Sequence, residues 1–174
     1  ITVLWTVMEP GLVDTGSVAE FAVVSYPTVL LWRNSPGRMI KAIESNQSLL
    51  HHAFVKPQDF FFSRLVLELV SATAAFVIIF LFFYFIGIMR LPYSILDMIF
   101  GWCMIAFFSI GLALIIGGLA EISEIAERLW HVASYFMLPI SGAFFPFYIV
   151  SEPLSSYLMI SPLVDGVEFL HHGY

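Results

Sequence analysis

The sequence predicts an all-α fold, a polytopic transmembrane helical bundle, and three observations carry that expectation. The 174 residues are 60% hydrophobic and only 11% charged, whereas a soluble domain carries roughly a quarter charged residues; the mean hydropathy is +0.92. Residues 69–89, 98–120 and 129–150 contain no Asp, Glu, Lys or Arg, and each stretch is long enough for the ~20-residue helix that crosses a bilayer core. None of them alternates apolar with polar residues as a membrane β-barrel strand does.

The same composition excludes other classes. With 7 basic residues, a net charge of −6 and no basic cluster, nothing is available to neutralise a phosphate backbone, and 17% aromatic residues is far too many for a disordered chain. Cys103 stands alone, so neither an internal disulfide nor a cysteine-based zinc site is built. The only lysines, Lys41 and Lys56, follow Ile40 and Val55 rather than a glycine, so the chain has no Walker loop with which to hydrolyse ATP. Adjacent histidines, His51 with His52 and His171 with His172, point about 100° apart on a helix and lack the i, i+4 spacing that shares a metal. No catalytic residue and no metal ligand is assigned.

The elements follow in chain order. Residues 21–32 are apolar but too short to span; they reach spanning length only from about Val13, with Asp14 and Glu20 inside, and so read as the second half of a span ending at Trp32. Five of the seven basic residues, Arg33, Arg38, Lys41, Lys56 and Arg64, then fall within residues 33–64. The bias of Lys and Arg toward cytoplasmic loops puts that segment inside. Residues 69–89 therefore run outward, 98–120 return, 129–150 run outward again, and 151–174 lie on the outer side. Arg90 is the exception to the charge rule, and a lone arginine beside a helix end can snorkel to the headgroups.

Within the cytoplasmic segment, Ser35 suits a helix cap and Pro36 the first helical position, with Met39, Ile40 and Ile43 as an apolar strip. This reads as a short helix, lying on the surface or docking on a partner. The alternation through residues 46–57 suits a segment inserted into a partner. Arg64 and Glu68 are one helical turn apart at the inner mouth, an interfacial ion pair that either anchors the helix end or acts as a gate or relay. Asp97 suits a helix start near Pro92. Ser109, Ala113 and Gly117 form a small-residue stripe for close helix packing.

Pro139 and Pro146 free carbonyls within residues 129–150, and such breaks persist where neighbours or a water-filled cavity satisfy them. This helix is the candidate wall of a path, with Tyr135 and Phe136 near its middle. Phe144 extends that wall, while Phe145 to Tyr148 also fits an aromatic belt at the outer interface. Residues 154–160 and 164–170 are each too short to cross and are separated by Ser161 and Pro162, which predicts two short helices in the outer interface and a plug or gate over the path.

The order of these pieces resembles the permease subunit of ABC-2 type transporters that export capsular polysaccharide. The resemblance is carried by Leu4-Trp5 with Glu9-Pro10, Trp32-Arg33-Asn34, Ser45-Asn46 with Leu49-Leu50, Val55-Lys56-Pro57 with Asp59, and Arg64 with Leu67-Glu68. Toward the end, Leu138-Pro139-Ile140-Ser141-Gly142-Ala143-Phe144-Phe145 resembles the family's fifth span, and Pro162-Leu163-Val164-Asp165-Gly166-Val167-Glu168 with Gly173-Tyr174 resembles its closing motif. Most of the chain is covered.

The resemblance implies a single transmembrane domain over residues 1–174, an inner (cytoplasmic) membrane location, and a homodimer forming the path beside two separate ATPase subunits. ATP and magnesium would be bound by those subunits and no cofactor by this chain. It implies an ATPase-coupling segment within residues 33–64 (Asn46, Leu49, Leu50, His51, Val55, Lys56, Pro57), a path at Tyr135, Phe136, Pro139 and Phe144, and a periplasmic gate in residues 151–174 with Pro162, Glu168 and His171. A polysaccharide or glycolipid would be the substrate, and periplasmic and outer-membrane export components would extend the assembly. Export of O-antigen or teichoic acid is the neighbouring alternative. A membrane-embedded enzyme is the alternative of another class, but it needs acid, base or metal residues clustered at one depth, and Glu68, Asp97 and His131 are scattered.

Two departures stand out: the family usually has a basic residue near His171, and an intact first span after Glu9-Pro10. Trp5, Glu9 and Pro10 resemble the inner entrance of a first span, and residues 11–20 an outer loop leading to a second. Because consecutive α-carbons are about 3.8 Å apart and the core is about 30 Å thick, the expectation is an incomplete bundle. A first span is expected to have been lost between Pro10 and Gly11, by closed numbering or a real deletion, and a sixth is expected to follow Tyr174.

Overall fold

The computed structural model describes residues 15–40, 42–51, 54, 56–141 and 161–174. The junction at Pro10 and Gly11, the 154–160 helix and the positions of Phe144 and Pro146 lie outside the described residues. All regular structure among the described residues is helical.

Helix α1 spans Thr15–Met39 and contains Pro27 and Pro36. Each proline removes one ladder hydrogen bond, and a hydroxyl beside it bonds back to the backbone: Thr28 Oγ1 donates to the Ser25 carbonyl and Ser35 Oγ to the Leu31 carbonyl, both at 2.6 Å. The helix does not end at Trp32, and Ser35 and Pro36 do not open a new one. Ser35 is buried with its hydroxyl spent on the turn before it, so no cap is available, and buried Met39 carries the helix to its packing partner. Residues 33–39 thus belong to α1. Irregular chain begins after it and holds a 3-10 helix, Glu44–His51, kinked at Asn46.

Helix α2 spans Pro57–Phe85. Pro57 fills its first position, and the Lys56 N–H donates to the Asp59 carboxylate at 2.8 Å, so α2 starts well before the uncharged run and takes in Arg64 and Glu68. After a turn at Gly87, where φ is +82° and a side chain would be strained, Ser94 caps α3, Ile95–Ile122, by accepting from the Asp97 N–H. Ser123 alone separates α3 from α4, Glu124–Ile140, and its hydroxyl accepts from the Ile125 N–H. That cap, with Glu124 and Glu127 favoured by the helix dipole, starts α4 five residues ahead of Leu129. Helix α5 spans Pro162–Gly173.

Among the described residues, α2 and α3 are long and apolar enough to cross a membrane. Both expose most of their apolar side chains, unlike the core helix of a soluble protein. Their neighbours fix the topology. Met39, closing α1, packs on Gly117 near the end of α3. Ser25, in the first half of α1, meets α5, which lies along the start of α3. So α1 and α3 run parallel, and α2 runs back between their levels with Glu68 beside Arg38.

Helix α3 holds the others through a buried face of Met98, Gly101, Ile105, Ser109, Ala113 and Gly117. Its outer half takes α5 and its inner half takes α1. A Cβ added at Gly101 would lie 2.6 Å from the Gly166 carbonyl oxygen, and one at Gly117 would lie 2.8 Å from Met39 Cβ. Nothing lies within 4 Å of a Cβ at Gly111.

Gly101→Ala is expected to destabilise the detergent-solubilised protein by about 1–3 kcal/mol through overpacking, lowering its thermal midpoint. Gly111→Ala, in open space, is expected to leave the midpoint unchanged or raise it, since alanine is the better helix former by about 1 kcal/mol.

Candidate functional site

Three groups of residues stand at three depths. At the inner face, the ends of α1 and α3 and the starts of α2 and α4 come together, and Arg38, Lys56 and Arg64 gather there as the charge rule requires. Asn46 donates from Nδ2 to the Ala42 carbonyl at 2.8 Å. Leu49, Leu50 and His51 lie in the 3-10 helix. Lys56 and Pro57 open α2, and Val55 lies outside the described residues. Phe54, unmarked by sequence reasoning, stands 95% exposed in the turn before α2. A cavity of about 570 Å³ separates the 3-10 helix from the α3–α4 junction, with Glu44, Gln47, Glu121, Glu124 and Glu127 on its walls.

The Arg64–Glu68 pair inferred from spacing is replaced by one between helices. Arg38 Nε lies 3.0 Å from Glu68 Oε2. Residue 38 is in the last turn of α1, where a cation is favoured, and the contact compensates a carboxylate buried in an apolar helix.

Midway, α4 presents Tyr135 and Phe136, 62% and 70% exposed, and Pro139 falls in its last turn. The Arg33 guanidinium of α1 lies over the Tyr135 ring, 4.5 Å from its centroid, a cation–π contact that gains strength where water is scarce. Tyr135 is therefore tied to a charge that its own surroundings in the sequence do not reveal.

At the outer side, Pro162 opens α5 and Glu168 is exposed. Glu168 shares a cleft of about 270 Å³ with Asp97, Asp165, Phe169 and His172. Among the described residues, no group of three or more His, Cys, Asp or Glu side chains is arranged to hold a metal ion. His171 points the other way. Its Nε2 is hydrogen-bonded to Ser25 Oγ at 2.8 Å, and its ring stacks on Phe21 at 4.5 Å. Burial pushes this imidazole down from 6.5 to about 4, so it is neutral at pH 7. The Tyr174 hydroxyl accepts from the Arg90 N–H at 3.2 Å, linking the end of α5 to the turn before α3.

Residues 39–173 match the family described as ABC-2 type transporter. The chain belongs to that family. It is 33% identical over 174 residues to the capsule polysaccharide export inner-membrane protein CtrC of Neisseria meningitidis serogroup B, covering 100% of this chain and 66% of that protein. It is 31% identical, with the same coverage, to the capsule polysaccharide export inner-membrane protein BexB of Haemophilus influenzae. Similarity to the polysialic acid transport protein KpsM of Escherichia coli is 25% over 181 residues, covering 95% of this chain and 70% of that protein. The chain thus spans 66% of the length of CtrC and BexB, just under two thirds. Family membership and the two apolar spans make this an inner-membrane protein, and its relatives are transport components rather than enzymes.

The depressed His171 pKa has a pH signature. Between about pH 6.5 and pH 4 the unfolded chain binds a proton at this position that the folded chain does not, so stability is full above that window and falls as pH drops through it. From pH 7 to pH 5 the loss attributable to His171 is expected to be roughly 2 kcal/mol. Thermal unfolding of wild type against His171→Phe checks it: the variant is expected to lose less stability over the same pH step.

Proposed function

We propose that this chain belongs to the membrane-spanning permease of an ATP-driven exporter of capsular polysaccharide across the inner membrane. Two copies form the path, and two ATPase subunits bind ATP and magnesium and drive it. The similarity to CtrC and BexB along the whole of this chain and 66% of theirs supports the substrate class. The absence of a Walker loop from this sequence supports assigning ATP hydrolysis to a separate subunit.

The observation that carries the docking is Phe54. A phenylalanine 95% exposed on the inner face offers an aromatic anchor to a partner surface, and buried aromatic anchors supply much of the energy of such contacts. It sits between the kinked 3-10 helix and the capped start of α2, so a push on residues 44–56 reaches α2 directly and α1 through Arg38–Glu68. Tyr135, Phe136 and Pro139 on α4 form one wall of the path, with Phe144 beyond. Helix α5, with Pro162, Glu168 and His171, closes the path on the outer side, where periplasmic and outer-membrane components receive the polymer.

Two substitutions separate these roles. Phe54→Ser is expected to reduce copurification of the ATPase at least tenfold and to lower export with it. Tyr135→Ala is expected to lower export while the ATPase still copurifies. Undiminished copurification with Phe54→Ser would remove the docking assignment, and equal loss of assembly and export with Tyr135→Ala would make that ring a packing residue.

A further inference from the structure

The helices around the proposed path are held unequally, and the inequality identifies the part that moves. Helix α5 is locked to α3 through backbone. A Cβ at Gly173 would lie 2.7 Å from the Ser94 carbonyl oxygen and 2.8 Å from the Met98 nitrogen, repeating the approach at Gly101 and Gly166. The Ser94 N–H donates to the Gly173 carbonyl at 2.9 Å, and Phe100 meets Phe169 edge-on at 5.3 Å. Leu163, Val164, Val167 and Leu170 are each at most 2% exposed. On its other side α5 is joined to α1 by the Ser25–His171 hydrogen bond and by the stacking of His171 on Phe21. Lifting α5 as a lid would uncover those four apolar side chains and break both sets of bonds together.

Helix α4 is held differently. Among its side chains that the structure describes, only Trp130 and Ser134 are buried, while Ile125, Leu129, Val132 and Phe136 are exposed. Among the described glycines, none of the contacts below 3 Å involves it. It joins α3 through one extended residue, Ser123, with φ −150° and ψ 123°, and such a break in a helix is a ready hinge. Arg33 over Tyr135 ties it to α1; a cation can leave and rejoin a ring face without dismantling a packed core.

We infer that α4 is the moving wall of the path, pivoting about Ser123 and breaking and remaking the Arg33–Tyr135 contact, while α5 stays fixed to α1 and α3 as a static outer wedge. The inference rests on the export reading and adds which helix moves.

The test uses the full-length protein in its complete transporter, in a Cys103→Ala background, with three cysteine pairs bridged by a short bifunctional thiol reagent. Arg33→Cys with Tyr135→Cys spans α1 and α4, Phe100→Cys with Phe169→Cys spans α3 and α5, and Phe21→Cys with His171→Cys spans α1 and α5. The α1–α4 pair is expected to bridge at a rate that changes at least threefold between nucleotide-free and vanadate-trapped states. The two α5 pairs are expected to bridge at the same rate in both states, and export is expected to survive the α3–α5 bridge within twofold. The bridging rates need no export from the variants, so loss of activity in the Arg33 and Tyr135 pair does not obscure the result. A nucleotide-independent α1–α4 pair, a nucleotide-dependent α5 pair, or export stopped by the α3–α5 bridge and restored by reductant would overturn the inference. Wild-type transporter that exports no polysaccharide with ATP would instead overturn the proposed function.

Discussion

Close approach of helix backbones along one face of α3 is the constraint on which the rest of this molecule depends. In hydrocarbon no hydrophobic force draws helices together, so association rests on packing contact and local hydrogen bonds, and small residues make that contact close. Gly101 admits α5 and Gly117 admits the end of α1, with Ile105, Ser109 and Ala113 fully buried between them. One helix face therefore fixes the outer helix and the inner end of α1, and through α1 it sets where the cytoplasmic segment begins.

Polar groups at membrane depth follow the same economy of contact. Ser109 donates to the Ile105 carbonyl of its own helix at 2.7 Å, and Trp102 Nε1 donates to Thr73 Oγ1 at 3.0 Å while stacking on Phe76. Glu68 takes Arg38, and Arg33 takes the face of Tyr135. These pairs sort by consequence. Arg38–Glu68 joins α1 and α2 at the inner end, where breaking one side would strand a buried carboxylate. Arg33–Tyr135 joins α1 to a helix with few other anchors and can part at lower cost.

The two spans seen in α2 and α3 were legible because uncharged length is a nearly sufficient signal for a membrane helix. The stripe at Ser109, Ala113 and Gly117 was legible for the same reason of periodicity, and it extends with the same spacing to Ile105 and Gly101. The end of α1 was misread because Ser35-Pro36 carries the chemistry of a helix start, and only burial reveals that the serine bonds backward into an existing helix. The partner of Glu68 was misread because spacing along one helix says nothing about a neighbouring one. Ser25 and His171 are separated by 146 positions, so the contact that buries His171 is a property of the packing of α1, α3 and α5 together. The path was read from the prolines and aromatics of residues 129–150 and the coupling segment from family resemblance; the exposed Phe54 and the cation over Tyr135 were visible only in the geometry.

The central claim, that α3, α5 and α1 form one body, is tested most directly by amide hydrogen exchange of the assembled transporter in lipid. The account predicts that amides of Pro162–Gly173 are protected as strongly as those of the outer half of α3 and change together with them between nucleotide states. Exchange in Pro162–Gly173 that is orders of magnitude faster than in α3, or that changes with nucleotide while α3 does not, would contradict it.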